Sequence, residues 1–319
     1  MHESMELRQL LCRELEQYLG QDERIVVIDA DLAKSNGTLP LRKKFPERAL
    51  DVGIAEQNMA GIAAGLATYG FIPIILSYTP FVTRRICDQI SISIAYARRN
   101  VKIIGTDPGI TAELNGATHM SVEDVSVMRG IPGIVILEAA DNVQLSRMLP
   151  AMIAHDGPVY LRLARKIVPR VYADNYRFDM FTADVMREGK DVTLVASGIM
   201  LAESLAAAET LSKMGINAEV IGVHTLKPLD AETIIRSVQK TGAVVTCENS
   251  SVVGGLYSAV CEALSASYPV PVAAVGIPDR FGEVGKLDYL KKVMHMTADD
   301  IVKKAVEVCV RKNVLKLSR

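Results

Sequence analysis

Among the residues of this chain, Glu56 is the one best placed to do chemistry. It ends the run Asp51–Val–Gly–Ile–Ala–Glu56 and opens a stretch rich in small residues: Ala60, Gly61, Ala63, Ala64, Gly65 and Ala67. A carboxylate in the first turn of a helix is favoured by the helix dipole, so Glu56 can be a simple helix-start residue. It can equally be a proton-handling group, because the small residues after it let another helix or subunit approach closely and bury it. A buried carboxylate needs a partner or a function. Position alone leaves both readings open.

Two further runs hold groups of a suitable kind. Ser77–Tyr–Thr–Pro–Phe81 follows an apolar stretch ending at Leu76. Tyr78 and Phe81 therefore stand beyond the carboxyl end of a strand, where open α/β sheets bind ligands. There they can stack a ring or merely pack the strand–helix junction. The loop from Thr106 to Met120 also follows a strand, and it carries Asp107, Glu113, Asn115 and His119. His119 can donate to a sugar hydroxyl or satisfy a backbone carbonyl. The loop then passes to a helix for which Ser121 is the expected cap.

These groups need a scaffold, and the apolar pattern supplies one. Short apolar runs alternate with amphipathic stretches, the pattern of parallel sheets with crossover helices. Strands are expected at Ile25–Asp29, Phe71–Leu76, Val101–Gly105, Ile134–Leu137 and Pro158–Leu161. Helices fit at 55–69, 82–98, 121–129 and 141–154, the last bent or shortened by Pro150. Ile167–Arg177 breaks the rhythm, and alternation then restarts. Strands follow at Val192–Ala196, Ala218–Gly222, Ala243–Cys247 and Val272–Val275, with helices at Ile199–Met214 and near 230–239, 254–267 and 298–311. The fold class is α/β with two doubly wound domains, 1–167 and 187–319, joined by a linker over 168–186.

Composition narrows the function classes. With 319 residues and 49% apolar content the chain can bury two cores. A formal net charge of −1 offers no footprint for nucleic acid or an anionic membrane. No apolar run reaches the length of a membrane span, and the charged start lacks a signal-peptide pattern. The five cysteines (Cys12, Cys87, Cys247, Cys261, Cys309) form no CxxC pair. Reduced thiols in a cytoplasmic protein are expected, with no metal site of its own.

Taken together, Ile54–Ala–Glu–Gln–Asn–Met59, Thr118–His119 followed by Glu123–Asp124, and Asp156–Gly–Pro–Val–Tyr–Leu–Arg162 resemble the pyrimidine-binding domain of the transketolase family. His224–Thr–Leu–Lys–Pro–Leu–Asp230 and Glu248–Asn249 with Gly254–Gly255 extend the resemblance through the family's smaller, mixed-sheet C-terminal domain, so that it covers essentially the whole chain. The resemblance implies a role for each matching residue. Glu56 would hydrogen-bond the aminopyrimidine of thiamine diphosphate and favour the imino tautomer that activates the thiazolium carbon. Tyr78 and Phe81 would form the aromatic pocket, and Asp31 would lie near cofactor and subunit interface. His119 would contact substrate oxygens near the reacting carbons. Arg8, Ser35 and Arg165 would hold the distal phosphate of the sugar.

Two positions depart from the family pattern. Asp107 stands where a histidine is usual, and Glu113–Leu–Asn–Gly116 replaces Gly–Glu–Asp–Gly, leaving Asn115 for an aspartate. Asp107 is similar to the residue in deoxyxylulose-phosphate synthase. A third departure is an absence: the family holds the diphosphate through a divalent ion on a Gly–Asp–Gly motif of a preceding domain, and no Gly–Asp–Gly occurs in this sequence.

The resemblance therefore implies one subunit of a split enzyme. A separate N-terminal subunit would carry the diphosphate and its Mg2+ or Ca2+, in an α2β2 assembly with self-association of this chain. The implied reaction is transfer of a two-carbon ketol unit from a ketose phosphate to an aldose. The alternatives are the beta subunit of a 2-oxo-acid dehydrogenase, a deoxyxylulose-phosphate-synthase-like half, and an inactive regulatory or scaffolding half.

Overall fold

The computed structural model describes residues 5–317. The first sheet takes strands β1 (Ile25–Asp29), β2 (Ala49–Asp51), β3 (Ile72–Tyr78), β4 (Lys102–Thr106), β5 (Val135–Glu138) and β6 (Val159–Leu163). The second takes β7 (Asp184–Arg187), β8 (Val192–Ala196), β9 (Ala218–Gly222), β11 (Val244–Ser251) and β12 (Val272–Ile277). The remaining strand, β10 (Thr225–Lys227), leaves the second domain's run and joins the first sheet. Strand order is β10-β5-β6-β4-β3-β1-β2 in the seven-stranded sheet and β12-β11-β8-β9-β7 in the five-stranded one. All pairings are parallel except β10 with β5 and β7 with β9. The architecture is the α/β pair of sheets expected from the alternating pattern.

The central strands read as unbroken apolar runs because both faces are covered. All seven residues of β3 are buried. On one face the helix Glu56–Thr68 sets Met59, Ala60 and Ala63 against Val26, Ile28 and Ile75. On the other, the helices Leu7–Gln21 and Asn142–Ala154 bring Leu10, Leu15, Leu145 and Met148 to Ile25, Val27 and Leu161. The first of these cores continues through Ile136 and Tyr160 into Ile221, Leu226 and Ile234, so one face of each sheet shares apolar packing.

Local structure departs from expectation in three places. The single helix expected over 82–98 is broken into Thr79–Val82, a 3-10 turn at Arg84–Ile86, and a π-helical stretch, Gln89–Tyr96. Thr83 breaks the helix with φ −124° and ψ −85°, and the Ile–Ser alternation after it is a weak helix former. Ser121 caps nothing: the helix is Asp124–Arg129, its cap position is Glu123, and Ser121 is buried with its hydroxyl unpaired. Pro150 does not shorten its helix, which runs on to Ala154. That proline is exposed, where water can meet the carbonyl it leaves without a donor.

The stretch between the sheets is tied down. Tyr172 and Tyr176 both donate to Asp184 at 2.8 Å, Gln144 donates to Tyr172 at 2.9 Å, and Asp141 accepts from the backbone of Val171 and Tyr172.

Candidate active site

The chemistry-bearing residues gather at the carboxyl ends of β6, β4, β3 and β1, which are neighbours in the sheet. Each loop leaving those ends supplies part of the site. Asp31 and Ser35 follow β1, Tyr78 ends β3 and Phe81 to Arg85 follow it, Asp107 to His119 follow β4, and Arg165 follows β6. Asp31, Asp107 and Glu113 hold positive φ of 59°, 53° and 49°, a sparsely populated state for residues other than glycine that concentrates at functional sites.

Glu56 is the first residue of its helix, whose N-cap Ala55 makes no side-chain cap bond. Its carboxylate is 4% exposed and accepts from Arg85 Nη1 at 2.6 Å. The same guanidinium lies over the Phe81 ring, 3.8 Å from its centroid. Phe81, Tyr78 and His119 form a closed set of edge-on rings. Centroids are 6.0 Å apart for Tyr78–Phe81, 5.1 Å for Tyr78–His119 and 5.3 Å for Phe81–His119. Burial, then the charges of Arg85 and Arg165, hold the His119 imidazole below its ordinary range, which favours the neutral ring. Its Nδ1 meets Thr118 Oγ1 at 2.9 Å.

A second cluster lies beside the first, joined through Arg165, whose guanidinium stands 4.6 Å from the Tyr78 ring centroid. Arg165 Nη1 and Arg8 Nη1 both donate to the Ser35 carbonyl, at 3.1 and 3.0 Å. Asp107 takes Arg165 Nε at 2.5 Å and the Arg165 backbone N–H at 2.9 Å. Burial holds the Asp107 carboxyl above its ordinary range, and Arg165 offsets only part of that rise. Arg8 Nε pairs with Glu6 at 2.7 Å. Asp31 and Asn115 are exposed on their loops. Among the described residues neither bonds to Glu56, Tyr78, Phe81 or His119.

The structure thus unites Glu56, Tyr78, Phe81 and His119 in one cluster, and Arg8, Ser35, Arg165 and Asp107 in another. Sequence reading missed Arg85 and Glu6. The signal for Arg85 was a cation pair just past an aromatic, and only the break at Thr83 aims it at Glu56. Sequence reading gave Asn249 no role beyond its motif, yet the amide donates to Pro108 O at 2.8 Å and accepts from Ile110 N–H at 3.0 Å. Asn249 therefore ties the base of the His119 loop to the second domain. Gly109 allows that approach: a Cβ there would stand 2.3 Å from Asn249 Oδ1, and its φ is +54°. Two motif residues of the second domain have structural duties. Glu248 accepts from the N–H groups of Leu256 and Tyr257, opening a helix, and His224 meets the Thr182 carbonyl at 3.0 Å.

The cluster suits a flat heteroaromatic ligand with ring nitrogens. It offers aromatic faces, a buried carboxylate and a neutral imidazole, and a planar guanidinium already uses the carboxylate and one ring together. Among the described residues no group of three or more His, Cys, Asp or Glu is placed to hold a metal ion. No described helix is long and apolar enough to cross a membrane.

Two family models match the chain: "Transketolase, pyrimidine binding domain" over residues 3–170 and "Transketolase, C-terminal domain" over 182–301. The chain is 54% identical to the 6-deoxy-6-sulfo-D-fructose transketolase subunit SqwH of Clostridium sp. (strain MSTE9), over 93% of its own length and 92% of that protein's. It is 37% identical to a putative transketolase C-terminal section of Methanocaldococcus jannaschii, over 89% and 90% of the two lengths. A solved structure described as a split gene transketolase, inactive beta4 tetramer, superposes with a TM-score of 0.88 at 41% identity, covering 97% of this chain and 99% of the other.

Proposed function

This chain belongs to the transketolase family, as a split transketolase-type subunit, and from that premise we propose that it is the pyrimidine-binding half of a thiamine-diphosphate-dependent ketol transferase. The partner half carries the diphosphate and a divalent ion, Mg2+ or Ca2+, and two copies of each assemble. Residues 1–167 form the pyrimidine-binding domain; the C-terminal domain, expected from 187, takes in strand β7 from Asp184, so the joining stretch ends before it. The donor is 6-deoxy-6-sulfo-D-fructose or a close ketose, on the strength of the 54% identical relative over nearly the full length of both chains.

One observation carries the reading: a buried carboxylate, Glu56, shares a guanidinium with the aromatic cluster at the carboxyl edge of a parallel sheet. The bound cofactor supplies the nucleophilic carbon and the electron sink that carbon–carbon cleavage requires. Glu56 holds a ring nitrogen of the pyrimidine and shares its proton. Tyr78 and Phe81 bind that ring by its faces and edges and keep water from it. Asp31, exposed near the sheet edge, lies where cofactor and partner meet. His119, neutral, can both accept and donate hydrogen bonds at the substrate oxygens beside the bond being broken. Asn115, on the same loop as His119, is a further substrate contact in this reading. Arg8, Ser35 and Arg165 bind the far end of the sugar, and Asp107 holds Arg165 in place for it. That anchor positions the reacting carbons from a distance.

The test is reconstitution with the partner half and thiamine diphosphate, followed by assay with ketose donors. Glu56→Ala should lower turnover at least ~100-fold while the complex still assembles, as expected for loss of a proton-handling group. Near-normal turnover by that variant would overturn the reading.

A further inference from the structure

We propose that the cradle made by Arg8, Arg165 and the Ser35 carbonyl selects a monoanionic, sulfonate-ended sugar over its phosphate counterpart, and that Asp107, helped by Glu6, sets the choice. The inference rests on the ketol-transferase reading for its substrate frame, but its physical basis is local.

Two guanidinium groups converge on one carbonyl oxygen, from Arg8 at 3.0 Å and Arg165 at 3.1 Å. Such a pair of forks is a ready anion site. Each fork, however, already has its own carboxylate. Asp107 holds Arg165 through Nε and through the backbone N–H, in a pair where the side chains are 1% and 11% exposed. Glu6 holds Arg8 at 2.7 Å. Two cations are matched by two carboxylates, so the cradle has no net charge. The neighbouring cations change little: Lys166 is paired with Glu113, and Lys34 is exposed, where solvent and salt screen it. Among the described residues neither Nη2 group of the two arginines hydrogen-bonds to protein, so donors remain for a ligand.

The shape of the end group alone does not rank a sulfonate against a phosphate monoester, since both present three free oxygens on a tetrahedral centre, the ester being longer by its bridging oxygen. Charge does. A sulfonate carries one negative charge throughout the working pH range, whereas a phosphate monoester carries about −1.5 to −2 at pH 7. The neutral cradle gains favourable donors from a monoanion. A dianion must be desolvated beside the buried Asp107 carboxylate with no surplus positive charge to offset it. Asp107 and Glu6 together, one carboxylate on each fork, are thus the repulsive element that specificity requires alongside the attractive one. Its backbone holds φ 53°, and its N–H donates to the Leu163 carbonyl at 2.9 Å, which keeps the carboxylate in place.

The experiment compares kcat/KM for 6-deoxy-6-sulfo-D-fructose and fructose 6-phosphate in the reconstituted complex, for the wild type, Asp107→Asn and Glu6→Gln. In parallel, ethanesulfonate and ethyl phosphate are titrated into the same complexes by calorimetry, which needs no turnover. The wild type should favour the sulfonate in both measurements. Asp107→Asn should shift both ratios toward phosphate by at least about 10-fold, chiefly through KM. Glu6→Gln, at a more exposed pair that tolerates change, should shift them in the same direction by less, and it serves alone if Asp107→Asn does not fold. Unchanged ratios in the folded variants, or a wild type that prefers the phosphate probe, would overturn the proposal. If neither donor is turned over while ethanesulfonate still binds in preference, the ketol-transfer reading fails and the cradle assignment stands.

Discussion

Arg85 joins two parts of the site that a sequence presents as unrelated. Its guanidinium donates to Glu56 and covers Phe81, so the carboxylate and the aromatic face are held in one unit before any ligand arrives. The same charge reaches His119, where it adds to the effect of burial, with Arg165 acting in the same direction. The sign is definite: cations nearby disfavour the imidazolium, so the His119 ring should titrate below the ordinary histidine value of about 6.5. Replacing Arg85 by Met should raise that midpoint, and so should Arg165→Met. Histidine ring resonances followed by NMR against pH in the isolated chain would measure both. A midpoint unmoved by either substitution would remove these arginines from the account of His119.

Among the elements, the ends of the strands are held by a buried charge network. Arg162 on β6 is fully buried and donates to Asp124 at 2.6 Å, to Glu138 at 2.5 Å, and to the backbone carbonyl of Asn249 at 2.8 Å. The first two partners belong to the first sheet and its helices, and the third belongs to β11 of the second sheet. Removing the cation leaves two carboxylates buried without their partner. Arg162→Met should therefore destabilise the chain by roughly 3–5 kcal/mol. Thermal unfolding should report a fall in Tm of roughly 4–7 °C. The same variant should loosen the His119 loop, because Asn249 fixes that loop through Pro108 and Ile110. Amide exchange over residues 108–120, faster than in the wild type, is the check. An unchanged Tm would mean that the network is dispensable.

For the whole molecule, the two sheets form one packed body. Strand β10 closes the edge of the first sheet with chain from the second domain, and Lys227 on it donates to the Arg129 carbonyl at 2.8 Å. Two apolar side chains next to the site residues are exposed: Ile54, just before Glu56, at 77% and Leu114, in the loop that carries His119, at 62%. In the proposed split enzyme these meet the diphosphate-binding half. Ile54→Asp should then weaken assembly of the complex at least ~10-fold and leave the Tm of the isolated chain nearly unchanged, as a surface substitution does. Light scattering on the mixed subunits would read the first and thermal unfolding the second. Full assembly by the variant would place the partner elsewhere.

The alternation of apolar runs was enough to read two α/β domains, the limits of β1, β8 and β9, and the helix that begins at Glu56, because burial of short segments is written in local periodicity. The family was legible too, in motifs that recur along the whole chain. Tertiary structure alone decided which groups meet. Arg85 reaches Glu56 across 29 residues, Arg8 reaches Ser35 across 27, Arg165 reaches Asp107 across 58, and Arg165 reaches Ser35 across 130. Periodicity reports whether a side chain is buried, not what it faces. Partners at that separation are chosen by strand order and by one break in a helix at Thr83, which no local pattern encodes.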